Sequence, residues 1–266
     1  MILPVKTDAA DLQLFDCNCM IGPSRTPQPG APETASALLA EMDRLGIAEV
    51  LVYHSVARSY SPAEGNEMLL KEVKGQPRLH PCWVLVPHHA GEMPEPAELV
   101  RQMLDNGVRA ARVFPDEHFF FIEPWCFGET LAALADARIP LLVDWGKQHW
   151  SEGLRGWPAI RQVCESFPGL PLIVVREGIA IDRFVGALIS RHTALCLEIS
   201  YYMGHRALET FVNRFGAERL LFGTGMPMYD PAEPIGMLLT SGLSEDALRA
   251  IAGENLRRMV AAVKAP

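Results

Sequence analysis

Asp144 and Arg176 each follow a short apolar run, Pro140–Val143 and Leu172–Val175. A carboxylate and a guanidinium at the ends of neighbouring strands are close enough to pair through charge-assisted hydrogen bonds. In a water-poor cleft, a fixed guanidinium can hold a substrate carboxylate or stabilise an oxyanion. The same two residues could equally form a structural ion pair with no chemical task. They separate on mutation, because only the first version ties turnover to Arg176.

Further charged and polar residues sit at comparable places. Arg109 and Arg112 lie on opposite faces of one strand, so one of them enters the interior, and Arg112 is nearer the strand end. Its expected role is substrate binding, with a salt bridge to Asp116 or Asp144 as the structural alternative. His54 ends the run Glu49–Tyr53, where an imidazole near the axis can act as base or acid near neutral pH. Asn18, Trp145 and Glu177 are the other expected substrate contacts. Glu177 and Glu198 are acids near strand ends whose pKa a dry cleft would raise. Alternation turns Glu177 away from Arg176, and Glu198 reads as a partner for an arginine or a backbone amide.

Six of the eight histidines, His54, His88, His89, His118, His149 and His205, follow apolar runs, but none shows the close His spacing of a metal site. Cys17 and Cys19 share a face, expected to be the outer one if Asn18 points inward, and no His partner marks either as a nucleophile. Aromatic residues crowd the same loops, among them Phe119, Phe121, Trp125, Trp145, Trp150, Tyr201 and Tyr229. They could wall a pocket or bury against another subunit of a homo-oligomer.

Positioning these groups requires a repeating scaffold. Apolar runs at Leu12–Cys17, Glu49–Tyr53, Leu79–Val86, Val108–Phe114, Pro140–Trp145, Leu172–Arg176, Ala194–Ser200 and Arg219–Phe222 alternate with amphipathic stretches. That is the pattern of successive βα units. It predicts an α/β fold, a single (β/α)₈ TIM barrel over residues 1–266, with an extra C-terminal helix from Ser244 to Val263 that closes the far side. Helical stripes such as Leu38, Leu39, Met42 and Leu45 are followed by a glycine, here Gly46, as Gly75, Gly107 and Gly216 follow others.

Bulk properties narrow the partners. With 266 residues and 49% hydrophobic content the chain can bury one large core, and a net charge of -8 without a basic run argues against nucleic acid. Neither a charged leader nor a membrane-length apolar run is apparent, so a soluble cytoplasmic protein is expected. The six cysteines are too sparse for a disulfide scaffold.

Several motifs together carry a resemblance. Phe15-Asp16-Cys17-Asn18-Cys19-Met20-Ile21-Gly22, Gly65-Asn66-Glu67, Pro77-Arg78-Leu79 leading to Val86-Pro87, Gly107 to Arg112, Phe222-Gly223-Thr224-Gly225-Met226-Pro227 and Asn255-Leu256-Arg257-Arg258 follow one another in the order of the amidohydrolase-related family. The chain resembles that family over nearly its whole length. The resemblance implies a divalent metal held by two histidines of the first strand, one each of the fifth and sixth, and an aspartate of the eighth. Asn18, Met20, Asp144, Arg176 and Gly225 stand in those places. No cofactor is therefore expected, and Arg176 is expected to supply the positive charge of the metal.

The resulting expectation is a metal-independent hydrolase or a lyase such as a decarboxylase, acting on a small anionic acid, ester, lactone or amide at the C-terminal mouth. Metal-free lactonases of the family keep the eighth-strand aspartate, so Gly225 weakens the hydrolase version. The alternatives are a non-catalytic barrel that binds a ligand or partner, and a hydrolase whose metal is held by loop histidines with Asp144.

Overall fold

The structure is a computed structural model and describes residues 9–24, 28–145, 154 and 156–264; His149 and Trp150 lie outside them. Eight strands run in one sheet in sequence order: β1 (Leu14–Ile21), β2 (Ile47–His54), β3 (Leu79–Val84), β4 (Ala110–Val113), β5 (Leu141–Val143), β6 (Leu172–Val174), β7 (Leu195–Glu198) and β8 (Leu220–Leu221). Every neighbouring pair is parallel. Backbone hydrogen bonds from Cys17 to Phe222 (3.0 Å) and from Met20 to Met226 (2.9 Å) bring the first strand against the last segment. This is the expected (β/α)₈ barrel.

Helices α1 (Ala35–Leu45), α2 (Ser55–Ser59), α3 (Pro62–Val73), α4 (Pro96–Asp105), α5 (Pro124–Ala137), α6 (Trp157–Ser166), α7 (Asp182–Ile189), α8 (Ala207–Phe215) and α9 (Ala232–Leu239) alternate with the strands. Their apolar stripes, including Leu38, Met42, Leu99, Met103 and Phe211, form the layer between helices and sheet. Thr34 caps α1 by accepting from the Ala37 amide, and Gly46 ends it at φ 70°. A left-handed residue there costs a side chain strain that glycine avoids. No helix of the described residues is long and apolar enough to cross a membrane.

A second apolar cluster fills the barrel interior: Phe15, Cys17, Leu51, Cys82, Ala110, Leu142, Ile173, Val175, Cys196, Leu221 and Leu256. Leu256 comes from the terminal segment, which is not one helix. It runs as α10 (Glu245–Arg249), a π-helical turn (Ala250–Glu254) and α11 (Asn255–Ala261). The wider turn lets the Ile251 carbonyl accept from the Phe222 amide at 3.0 Å. An uninterrupted α-helix would keep that carbonyl for its own ladder.

Strand β1 extends four residues beyond the expected end and contains a register shift between Asp16 and Cys19. Cys17 was expected to face outward and instead joins the interior cluster, while Asn18 also turns inward. The irregularity is the reason, since two consecutive residues face one side at a bulge. Asp16 stabilises it: its carboxylate accepts from the Asn18 amide (2.8 Å), the Thr224 amide (3.0 Å), the Thr224 hydroxyl and the Cys19 thiol.

Candidate functional site

One step toward the C-terminal ends, the interior changes character. A strand side chain repeats its face every second residue, so Ala110 is followed inward by Arg112, Leu142 by Asp144 and Cys196 by Glu198. All three charged residues are at most 2% exposed. Arg112 donates to Asp144 Oδ2 at 2.7 Å and to Asn18 Oδ1 at 2.8 Å. Its guanidinium also lies over the rings of Tyr53 (4.6 Å) and Phe114 (5.0 Å). Four strands thus supply one connected polar layer: Asn18, Arg112, Asp144 and Glu198.

Arg176 forms the roof. It stands at φ 61°, beyond the last residue of β6, so strand alternation no longer governs its direction. Alternation after Val175, which faces the interior, would have sent the next side chain outward. The left-handed turn instead brings its guanidinium to 3.5 Å from Asp144 Oδ1 and onto the Tyr229 hydroxyl, and its amide to 3.2 Å from Glu198 Oε2. Arg176 is 14% exposed where Arg112 is 1%. Of the two arginines on Asp144, Arg176 is the one an incoming molecule meets.

Glu198 is fully buried and accepts from Ser200 Oγ (2.8 Å), the Ser200 amide and Asn18 Nδ2 (3.2 Å). Burial pushes its pKa up to about 7, against the pull of the Ser200 hydrogen bonds and with added repulsion from Asp16. Gly223 makes room for it, because a β-carbon there would stand 2.5 Å from Glu198 Oε1. A β-carbon at Gly225 would stand 2.8 Å from the Tyr229 ring. Tyr229 therefore occupies space beside the position where the resemblance puts an aspartate. Its own pKa is raised, first by burial, with Arg176 and Arg58 pulling it down, so the phenol keeps its proton at neutral pH.

Arg58 and Tyr229 are site residues that the sequence reading did not single out for the site. Arg58, on α2, pairs with Glu117 and lies 4.9 Å over the Phe114 ring. Burial opposes its charge, and the attraction of Tyr53, Glu117 and Asp144 outweighs it, so its pKa is raised. His118 Nε2 donates to the Arg58 carbonyl oxygen at 2.7 Å, which fixes the tautomer with the proton on that nitrogen.

Other expected residues lie elsewhere. His54, placed near the axis by expectation, faces the other way: Leu51 and Tyr53 take the inner face, and His54 packs against Gly22 and caps α2 by accepting from the Val56 amide at 3.1 Å. Burial lowers its pKa. Trp145, one residue past Asp144, is likewise outward; it packs on Gly156 and lines a cleft of about 480 Å³ with Phe119, Phe121 and Pro158. Glu177 is buried just past the Arg176 turn. Among the described residues the metal-compatible group containing a loop histidine is His88 with Glu95 and Glu129, and Asp144 is not part of it.

The donor set at the mouth does not fit a divalent cation. Such an ion needs about three nitrogen, carboxylate or thiolate ligands. Asn18 commits its oxygen to Arg112, Met20 lies in an apolar cluster with Tyr53, Val84 and Phe114, and Gly225 has no side chain. Asp144 is left with a guanidinium on each oxygen. Two fixed cations already on Asp144 would repel a third.

Solved structures with the same fold include 5-carboxyvanillate decarboxylase from Sphingomonas paucimobilis (14% identity, 94% of this chain and 99% of that one, TM-score 0.70). A putative 2-pyrone-4,6-dicarboxylic acid hydrolase from Pseudomonas putida is similar at 16% identity over 94% and 98%, TM-score 0.67. So is a dihydroxybenzoic acid decarboxylase from Polaromonas sp. with bound manganese, at 13% over 95% and 98%, TM-score 0.61. No curated protein matches the chain. The amidohydrolase family model matches residues 25–261, and the chain belongs to that family.

Proposed function

We propose that the chain is an enzyme of small organic acids that uses arginine charge at the barrel mouth in place of the family's metal, and that it releases a carboxyl group rather than hydrolysing a bond. The observation that carries this reading is the Arg176 guanidinium, braced by Asp144 and Tyr229 at the opening of the polar layer. Hydrolysis needs a group that activates water. Gly225 supplies none, and the Tyr229 ring stands beside its place.

In decarboxylation the bond to the carboxyl carbon breaks, carbon dioxide leaves, and the electron pair moves toward an oxygen-bearing sink. A proton then replaces the lost group. Only interactions that strengthen in the transition state accelerate the step, so Arg176 must face the oxygen that gains charge. We assign the substrate carboxylate to Arg58, whose guanidinium lies over the same Phe114 ring as that of Arg112. The protonated Tyr229 phenol is the proton source at the same opening. Arg112 and Asp144 keep Arg176 in place, which lowers the reorganisation cost of stabilising the new charge.

The relatives that release carboxyl groups from small acids support the choice of reaction class. The test is carbon dioxide release from a panel of hydroxybenzoates and 3-oxo acids by the wild type and by Arg176→Met. Turnover that falls about 100-fold or more in the variant, with its melting temperature kept, supports the proposal. Equal turnover in a folded Arg176→Met protein overturns it.

The competing reading, a non-catalytic barrel, rests on the near-complete burial of Arg112 and Asp144, as expected of a structural ion pair. It predicts no turnover with any member of the panel.

A further inference from the structure

His88, in the turn after β3, has a side chain that is 8% exposed, and its ring lies 4.0 Å from that of His89. Its Nε2 points between two carboxylates from different elements, Glu95 ahead of α4 and Glu129 on α5, at 3.4 Å from an oxygen of each. The three ligand atoms lie within 4.8 Å of one another. Charge-assisted hydrogen bonds are shorter, about 2.7–2.9 Å. The chain itself provides the contrast: His80 Nε2 meets Glu49 at 2.7 Å.

A spacing of 3.4 Å has another meaning. Ligand atoms held about 2.1 Å from a tetrahedral ion stand about 3.4 Å apart along the edges of the tetrahedron. Two like charges converging on one buried imidazole nitrogen, with no hydrogen bond made, form an arrangement that a cation between them would satisfy. A histidine nitrogen with two carboxylate oxygens is a donor set suited to zinc, with a fourth position open to water. We propose that His88, Glu95 and Glu129 bind a zinc ion that ties the β3–α4 loop to α5. None of these residues belongs to the polar layer at the mouth, so the site does not depend on the reading of the reaction.

The test is calorimetric titration of zinc chloride into the full chain after chelator treatment and dialysis. One equivalent should bind to the wild type and raise its melting temperature. Glu129→Gln, a change on a largely exposed side chain, should weaken binding by at least about tenfold and remove the melting shift. His88→Ala should do the same, and Glu165→Gln, a change of an exposed carboxylate on α6, should bind as the wild type does. Absence of zinc binding by the wild type, binding unchanged in Glu129→Gln, or binding lost in Glu165→Gln would each overturn the proposal.

Discussion

The two ends of the barrel interior are built from the same strands and differ by one step along each. The lower layer holds Ala110, Leu142 and Cys196, and Leu256 enters it from α11; the upper layer holds Arg112, Asp144 and Glu198. Apolar side chains gain from leaving water in proportion to area, whereas a buried charge is stabilised only by its partner. The lower end therefore tolerates changes of shape gradually. The upper end depends on each member being present.

That contrast can be broken at its strongest point. Arg112→Ala takes from the buried Asp144 its 2.7 Å guanidinium contact, and urea denaturation should show a loss of about 3–5 kcal/mol. The paired change Arg112→Met with Asp144→Leu should recover much of it, because the cost lies in a buried charge that has lost its nearest counter-charge. If the single change is harmless, the upper layer is not the coupled unit described.

At the lower end, Leu142→Ala should cost about 2–5 kcal/mol through the cavity it leaves. Turnover per folded molecule should be unchanged, since no charged group of the mouth moves. A selective fall in turnover at constant stability would show the two layers to be linked.

Glu198 gives a sharper reading through pH. Its folded pKa of about 7 exceeds the ordinary value of 4.5. Between those values the folded chain binds more protons than the unfolded one, so stability falls as pH rises, by up to about 1.4 kcal/mol per unit, and levels off above the folded value. Denaturation midpoints across that range should show the slope, and Glu198→Gln should flatten it. The smallest effect belongs to α10: Ser244→Ala removes the cap on the Ala247 amide and should cost about 1 kcal/mol by thermal denaturation.

Period-two arithmetic made the strands legible, and with them Arg112 and Asp144 on the inner face. The same arithmetic places Glu198, two residues past the interior Cys196, and turns His54 outward beside the inward Tyr53. Ranking residues by chemical type instead of by parity favoured His54 and undervalued Glu198. Asn18 and Arg176 break the arithmetic, one through the irregularity in β1 and the other through its left-handed backbone. Arg58 and Tyr229 reach the mouth from a short helix and a loop, where no repeat fixes the direction of a side chain.

The meeting of β1 with the β8 segment differs in mechanical kind from the other joints of the barrel. Elsewhere ladders of backbone hydrogen bonds hold strands rigidly side by side. Here the Asp16 carboxylate works as a pin, gripping the Asn18 and Thr224 amides from one point between two backbone bonds. A ladder resists rotation along its length, while a pin permits a small pivot about itself. The residues on either side of that pin are Asn18, at the floor of the mouth, and Gly225, at the root of the loop carrying Tyr229, so a single side chain ties the floor of the mouth to its rim.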